Sequence, residues 1–223
     1  ALCAALSIPI FSSVSQAQLK ESSVAPLEYV GGYPTKETAQ KYYDELDLQR
    51  AVEVYLWALP MASYGAMFEE TIKLGGGDHA VLVVDKAAEA QQLCLTANQD
   101  TIYMSGALDL AKGPMVIDVP PGLLGTMNNI WQQPLVDIGG PFSPEQNKGG
   151  RFLILPPGYD GPMPAIAYHL VKSDTNTVIF YLRAIPKSKD DLPRLQKLVR
   201  TFKQYRLDEA ENPPEMTFVS MTG

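Results

Sequence analysis

Histidine and cysteine are nearly missing from this chain of 223 residues, which holds two of each. Zinc sites draw Cys, His and acidic ligands at short fixed spacings, and His79 and His169 form no H-x-H or H-E-x-x-H pair, so no metal site is expected. A G-x-S-x-G elbow, a P-loop and a glycine-rich dinucleotide motif are also lacking, so no cofactor is implied. Positive charge is short as well: 18 Lys and Arg stand against 25 Asp and Glu, a formal net charge of -7. Phosphate backbones are held by clustered cations, which excludes nucleic acid as the expected partner. No apolar run reaches the roughly 20 residues that span a bilayer as a helix, so no transmembrane segment is expected.

What apolar run there is lies at the start. Residues 1–11 are uncharged and apolar, and Ser15 and Ala17 are small residues at the two positions a signal peptidase reads. This looks like a truncated secretory signal cleaved after Ala17, which predicts a periplasmic or secreted protein. Leu2 is too bulky to precede a lipid-modified Cys3. Removal of Cys3 leaves Cys94 alone between Leu93 and Leu95, so a buried free thiol is expected and an internal disulfide is not. A hydrophobic content of 46% is then enough to stabilise the chain through its core.

Four segments emerge from the patterning: a signal at 1–17, a linker at 18–32, a helical segment at 33–77 and a β-sandwich domain at 78–223. Thr35 is a suitable N-cap, with Thr38 where a capping box prefers Glu, and Asp47 is a second start signal. Leu48, Ala51, Val52, Tyr55, Leu56 and Leu59 recur at helical spacing and predict a face packed on a core, broken or kinked at Pro60 and stopped at Gly75-Gly76-Gly77. Beyond residue 80 the pattern becomes short apolar runs separated by Gly, Pro and Asn. Strands are expected at 81–84, 102–108, 115–119, 125–138 with interruptions, 152–155, 167–171, 178–185 and 216–221. Ser173-Asp174-Thr175-Asn176 reads as a hairpin turn. One later helix is expected at 190–205, with Leu192, Leu195, Leu198, Val199 and Phe202 inward and the row Arg194, Lys197, Arg200, Lys203, Arg206 solvated. The fold class is therefore mixed and mainly β: N-terminal helices followed by an antiparallel β-sandwich with one later helix. The chain stops inside an expected strand at Gly223, which suggests a C-terminal partner domain.

The ordered set of Tyr33-Pro34-Thr35, Asp47 to Val52, Tyr55 to Pro60, Asn98 to Tyr103, Gly113-Pro114, Trp131-Gln132, Asp137-Ile138-Gly139, Lys148 to Tyr159 and Asn212-Pro213-Pro214 resembles the DUF1254 domain of exported bacterial proteins of unknown function. The resemblance implies a jelly-roll-like sandwich, usually followed by a second domain called DUF1214. It also marks a departure. An acidic residue is common in that family just before the Trp-containing stretch, where this chain has Asn128 and Asn129.

Candidate binding residues come from polar groups at expected sheet edges. Asn98, Asp100 and Thr101, running into Tyr103, combine amide, carboxylate and hydroxyl groups suited to sugar hydroxyls or a cation, or serve as a turn cap. Asn129 and Trp131 share a strand face at period two, as an aromatic platform or as core. Lys148 and Arg151 flank a Gly-Gly turn that either meets an anion or forms a hairpin corner. His169 lies in an expected strand, where it is a structural histidine or an acid–base group, and Arg183 completes the set. Catalytic residues are not identified.

Three function classes fit. The first is an exported binding or envelope-interaction module for a small polar ligand, a glycan or a protein. The second is a hydrolase or lyase using Asp100, Asp137 or His169 as acid or base, which needs at least two of them converging with a perturbed pKa; Asp100, His169 and Arg183 in one pocket would favour it. The third is a structural assembly module, by analogy with jelly-roll shells, and a homo-oligomer fits it.

Overall fold

A computed structural model describes residues 26–84, 101–165 and 167–221. Residues 1–25, with the expected signal, residues 85–100, with Cys94, Asn98 and Asp100, residue 166 and residues 222–223 therefore lie outside the described residues. The chain divides into two compact units between Val54 and Tyr55.

In the first unit, β1 (Tyr29–Val30) and β2 (Tyr33–Pro34) pair antiparallel across Gly31 and Gly32. Helix α1 (Lys36–Lys73) starts where Thr35 Oγ1 accepts the Thr38 backbone N–H at 3.2 Å. The Thr38 hydroxyl accepts the Glu28 N–H at 2.8 Å, and the Thr35 N–H, which a capping-box Glu would take, donates instead to Glu28 O at 3.0 Å. Pro60 does not break this helix, which continues to Lys73. It removes one intrahelical donor, a cost a long helix absorbs when its other turns hold. The stop is where the glycines predict it: Gly75 takes φ +99° and its N–H returns to Ile72 O at 3.0 Å. The expected buried face is not buried. Leu48, Val52, Tyr55 and Leu56 are exposed, Tyr55 at 66%. Periodicity reports that a helix has an apolar face and cannot say what covers it.

The second unit is built on two sheets. Strands β3 (Ala80–Val84), β4 (Ile102–Asp109), β6 (Leu123–Asn129), β7 (Pro134–Ile138), β10 (Thr177–Ala184) and β12 (Thr217–Ser220) form a six-stranded sheet in the order β12-β3-β4-β10-β6-β7. Strands β5 (Met115–Val119), β8 (Gly150–Leu155), β9 (His169–Lys172) and β11 (Lys203–Arg206) form a four-stranded sheet in the order β11-β5-β8-β9. Met104, Phe180 and Leu182 of the large sheet meet Met115, Ile117, Phe152 and Ile154 of the small one in a single core. The chain is thus mainly β, as the turn-punctuated pattern predicts.

Several sequence expectations need correction. The sheets are not wholly antiparallel, since β12 runs parallel to β3 and β9 parallel to β8. The segment 173–176 is not a hairpin turn, because β9 and β10 belong to different sheets. The later helix is shorter than 190–205: α2 spans Leu192–Val199, and Lys203 and Arg206 lie on β11. Its inward residues are legible in the sequence, for Leu195, Val199 and Phe202 enter the core. Amphipathic spacing extends through Phe202 although hydrogen bonding turns to strand, because the apolar face is needed by both.

Candidate functional site

The sequence-derived site residues separate into three places. Tyr103 on β4 and Arg183 on β10 are register partners on the large sheet. Thr101, just before β4, is buried. Asn129 and Trp131 mark the β6–β7 turn, and Lys148, Arg151 and His169 belong to the entry and edge of the small sheet. Asn98 and Asp100 fall outside the described residues.

The Asn129–Trp131 pair is not a strand-face platform. Strand β6 ends at Asn129, so Trp131 sits in the turn, half-buried, with its ring 4.8 Å from that of Trp57. Asn129 is fully buried, and its Oδ1 accepts the backbone N–H groups of Trp131 at 2.9 Å and Gln133 at 3.0 Å. Its Nδ2 donates to Asp174 Oδ1 at 2.8 Å and Gln133 Oε1 at 3.2 Å. Every hydrogen-bonding position that matters is used internally, which makes Asn129 a turn lock. An acid there would face the Asp174 carboxylate. Asn128 is equally engaged: its Nδ2 donates to Tyr64 Oη at 2.9 Å and its Oδ1 accepts from Thr126 at 3.1 Å.

The residues of the small sheet do not converge either. Lys148 Nζ donates to Gln146 Oε1 at 3.2 Å, Arg151 lies 6.0 Å over the Tyr168 ring, and the His169 ring packs 5.1 Å from that of Phe152. Lys148 to Arg151 is not a hairpin corner, since it leads from β7 of one sheet into β8 of the other.

On the outward face of the large sheet, strand register aligns Leu82, Ser105, Tyr181, Thr126 and Asp137 in one row across five strands. The next row places Val84, Tyr103, Arg183 and Leu124 side by side. Their strand neighbours Met104, Leu182 and Met127 face the core, so the pleat alternation sends this set to the other side. Part of that face is covered by the second half of α1: the Tyr64 ring meets Tyr181 edge-on at 6.3 Å, and Tyr181 Oη donates to Met67 Sδ at 3.6 Å. Beside this cover opens a cleft of about 500 Å³, lined by Tyr103, Thr126, Asp137, Tyr181, Arg183 and the loop from Gly139 to Ser143.

That loop is fixed from beneath. Gly139 takes φ +75°, and a Cβ there would stand 2.1 Å from Leu123 O, so only glycine allows the close approach. Glu145, 5% exposed, accepts the Gly139 N–H and the Ser143 hydroxyl, the latter at 2.8 Å. The anchored loop holds Phe142 at the cleft rim with 96% of its surface exposed. Arg183 and Asp137 make no ion pair or side-chain hydrogen bond among the described residues. A second cleft of about 610 Å³, near Gln133, Tyr159, Lys172 and Asp174, differs in this respect. There Asp174 is taken by Asn129, and Tyr159 Oη donates to Pro162 O at 3.1 Å.

Sequence reasoning singles out Tyr103, Asp137 and Arg183 but not Thr126, Tyr181, Phe142 or Glu145. Register unites the first set with Thr126 and Tyr181, and the loop after β7 brings Phe142 and Glu145 to it. A signal for Phe142 exists, an apolar aromatic directly after Gly139-Gly140-Pro141 in a turn.

The family described as "Protein of unknown function (DUF1254)" matches residues 80–206, more than half the chain. The chain belongs to the DUF1254 family. The matched DUF1254 region runs from β3 to the end of β11 and includes the whole cleft lining. Comparison with curated proteins found no match. Among solved structures, the chain is similar to the VPA0106 protein from Vibrio parahaemolyticus, with a TM-score of 0.54 and 19% sequence identity. The similarity covers 73% of this chain and 39% of that one, so this chain spans about two fifths of that protein's length. At such identity the likeness concerns the fold alone.

Proposed function

We propose that this DUF1254 protein is an exported binding module, and that the cleft on the outward face of the large sheet holds a small polar ligand. The observation that carries this reading is the meeting of Tyr103, Thr126, Asp137, Tyr181 and Arg183 in one open cleft, with an opposite pair of charges that no ion pair among the described residues uses. A cleft lined by aromatic surface and a few directed polar groups is the usual form of a small-molecule site. Acid–base catalysis is less favoured. That reading calls for two of Asp100, Asp137 and His169 together; Asp137 lines the cleft, His169 packs against Phe152 of the small sheet, and Asp100 lies outside the described residues. Export rests on the signal-like segment at 1–17, and the β-domain limits of 78–223 and the jelly-roll-like description are parts of the same proposal. No helix among the described residues is long and apolar enough to cross a membrane.

The test is an amide NMR titration with neutral and acidic monosaccharides and small carboxylates. Shifts are expected at Tyr103, Thr126, Asp137 and Gly140. Asp137→Asn should weaken binding by about 1–3 kcal/mol, the cost of losing a charge-assisted hydrogen bond, with thermal stability unchanged. Shifts at Gln133, Tyr159 and Lys172 would move the site to the other cleft and retire this one.

A further inference from the structure

Three features of the cleft narrow the chemistry of its ligand, an inference that rests on the cleft being a binding site. The first is the spacing of its charges. Arg183 on β10 and Asp137 on β7 are separated by β6 and offset by two residues along the strands. With strands about 4.8 Å apart and about 3.3 Å per residue, the two Cα atoms stand roughly 12 Å apart. With this spacing of their backbones, and no ion pair between them among the described residues, the two charges can meet different ends of one ligand. The second feature is the kind of charge. A guanidinium fork matches a carboxylate through two parallel hydrogen bonds, and a carboxylate accepts from hydroxyl groups. The third is Phe142, nearly fully exposed on a loop that the buried Glu145 fixes in place. A large apolar ring kept in water on a fixed loop has a surface to offer, and the C–H face of a sugar ring is the apolar surface a hydroxyl-rich ligand presents.

We propose that the cleft recognises a carboxylated sugar, a hexuronate residue, with its carboxylate on Arg183, its hydroxyls on Asp137 and its ring against Phe142. A neutral sugar would satisfy Asp137 and Phe142 and leave Arg183 without a partner. A small carboxylate without a ring would satisfy Arg183 alone. The chain's net charge of -7 repels an anion at long range, but this is screened beyond a Debye length of about 8 Å at physiological salt and does not decide contact at Arg183.

The experiment compares glucuronic and galacturonic acids with their methyl esters, which keep the ring and hydroxyls and remove the charge, by amide NMR titration of the intact protein. The acids are expected to bind at least about tenfold more tightly than the esters, as a charged hydrogen-bonded pair supplies. Arg183→Met should bring that ratio close to one. Phe142→Ala should weaken acid and ester alike, with circular dichroism unchanged. Equal binding of acid and ester, with shifts still at Tyr103 and Asp137, would overturn the carboxylate and leave the cleft standing as a site. So would an acid preference that survives Arg183→Met. Absence of binding by every sugar, or shifts confined to other surfaces, would overturn both readings.

Discussion

The two sheets share one core and treat their outer faces in opposite ways. Outside the small sheet, Val116, Leu153, Leu155 and Tyr205 are buried under Tyr159, Tyr168, Leu207 and Ala210, so the chain's own connections seal that face. Burial there pushes the Tyr205 hydroxyl above its ordinary value, with the charges of Tyr168 and Asp118 adding to the effect. Outside the large sheet the second half of α1 covers only part of the surface, and beside it Tyr103, Asp137 and Arg183 line an open cleft. A sealed face stabilises, and an open face that keeps charges uncommitted is available to a ligand. The contrast locates the candidate site more firmly than any motif in the sequence does.

The largest expected effect would break this contrast if it failed. Leu153→Ala removes a fully buried side chain from beneath the seal and should cost about 2–5 kcal/mol of unfolding free energy, measured by denaturant titration. Arg183→Met, on the open face, should stay within about 0.5 kcal/mol. Equal costs would mean that the large sheet's outer face is as structural as the small one's.

The fold is more legible in the sequence than the site is, and particular residues say why. Strand positions such as 115–119 are local, since alternation and flanking glycine and proline announce them. Pairing is not local. Nothing near Ser173 reports that β9 and β10 lie in different sheets, and nothing near Asp137 reports that Thr126 and then Tyr181 lie beside it. The same limit hides the role of Asn129, whose sequence neighbours suggest a platform with Trp131 while its decisive partner, Asp174, is 45 residues away. Arg183 and Tyr103 are each nameable from the sequence, but their adjacency is a property of register.

A middle-sized effect sharpens the contrast at the point where the outer cover meets the sheet. Asn129→Asp keeps both acceptors for Trp131 and Gln133, removes the donation to Asp174 and places a second carboxylate at that position. It should cost about 1–3 kcal/mol near neutral pH and recover part of that as either carboxyl takes up a proton on acidification. A melt insensitive to the change would show that the turn is held without this lock. It would also return Asn129 to the set of residues available to a ligand.

The smallest effect concerns the joint between the sealed face and the large sheet. Glu209 lies beside the seal, in the turn with Leu207, and its Oε2 reaches His79 Nε2 at 2.7 Å just before β3. Partial burial works against its charge, but the His79 hydrogen bond, the Arg206 backbone N–H and the nearby positive charges together outweigh it, so the carboxyl lies below its ordinary value. A carboxyl depressed in the folded state contributes stability above its unfolded value, near pH 4.3, and loses that contribution as pH falls through the lower folded value. Stability should therefore be flat with respect to this group from about pH 8 to 6 and decline on acidification below about pH 5. Glu209→Gln should lower the plateau by less than about 1 kcal/mol, since both side chains are partly exposed, and should make the acid limb shallower. Chemical denaturation at pH 7 and pH 3.5 distinguishes the outcomes. An unchanged acid slope in the variant would mean that other carboxylates carry the acid response and that the His79–Glu209 contact adds nothing to the bonds from Gln204 of β11 to Gly77 O and Ala107 O.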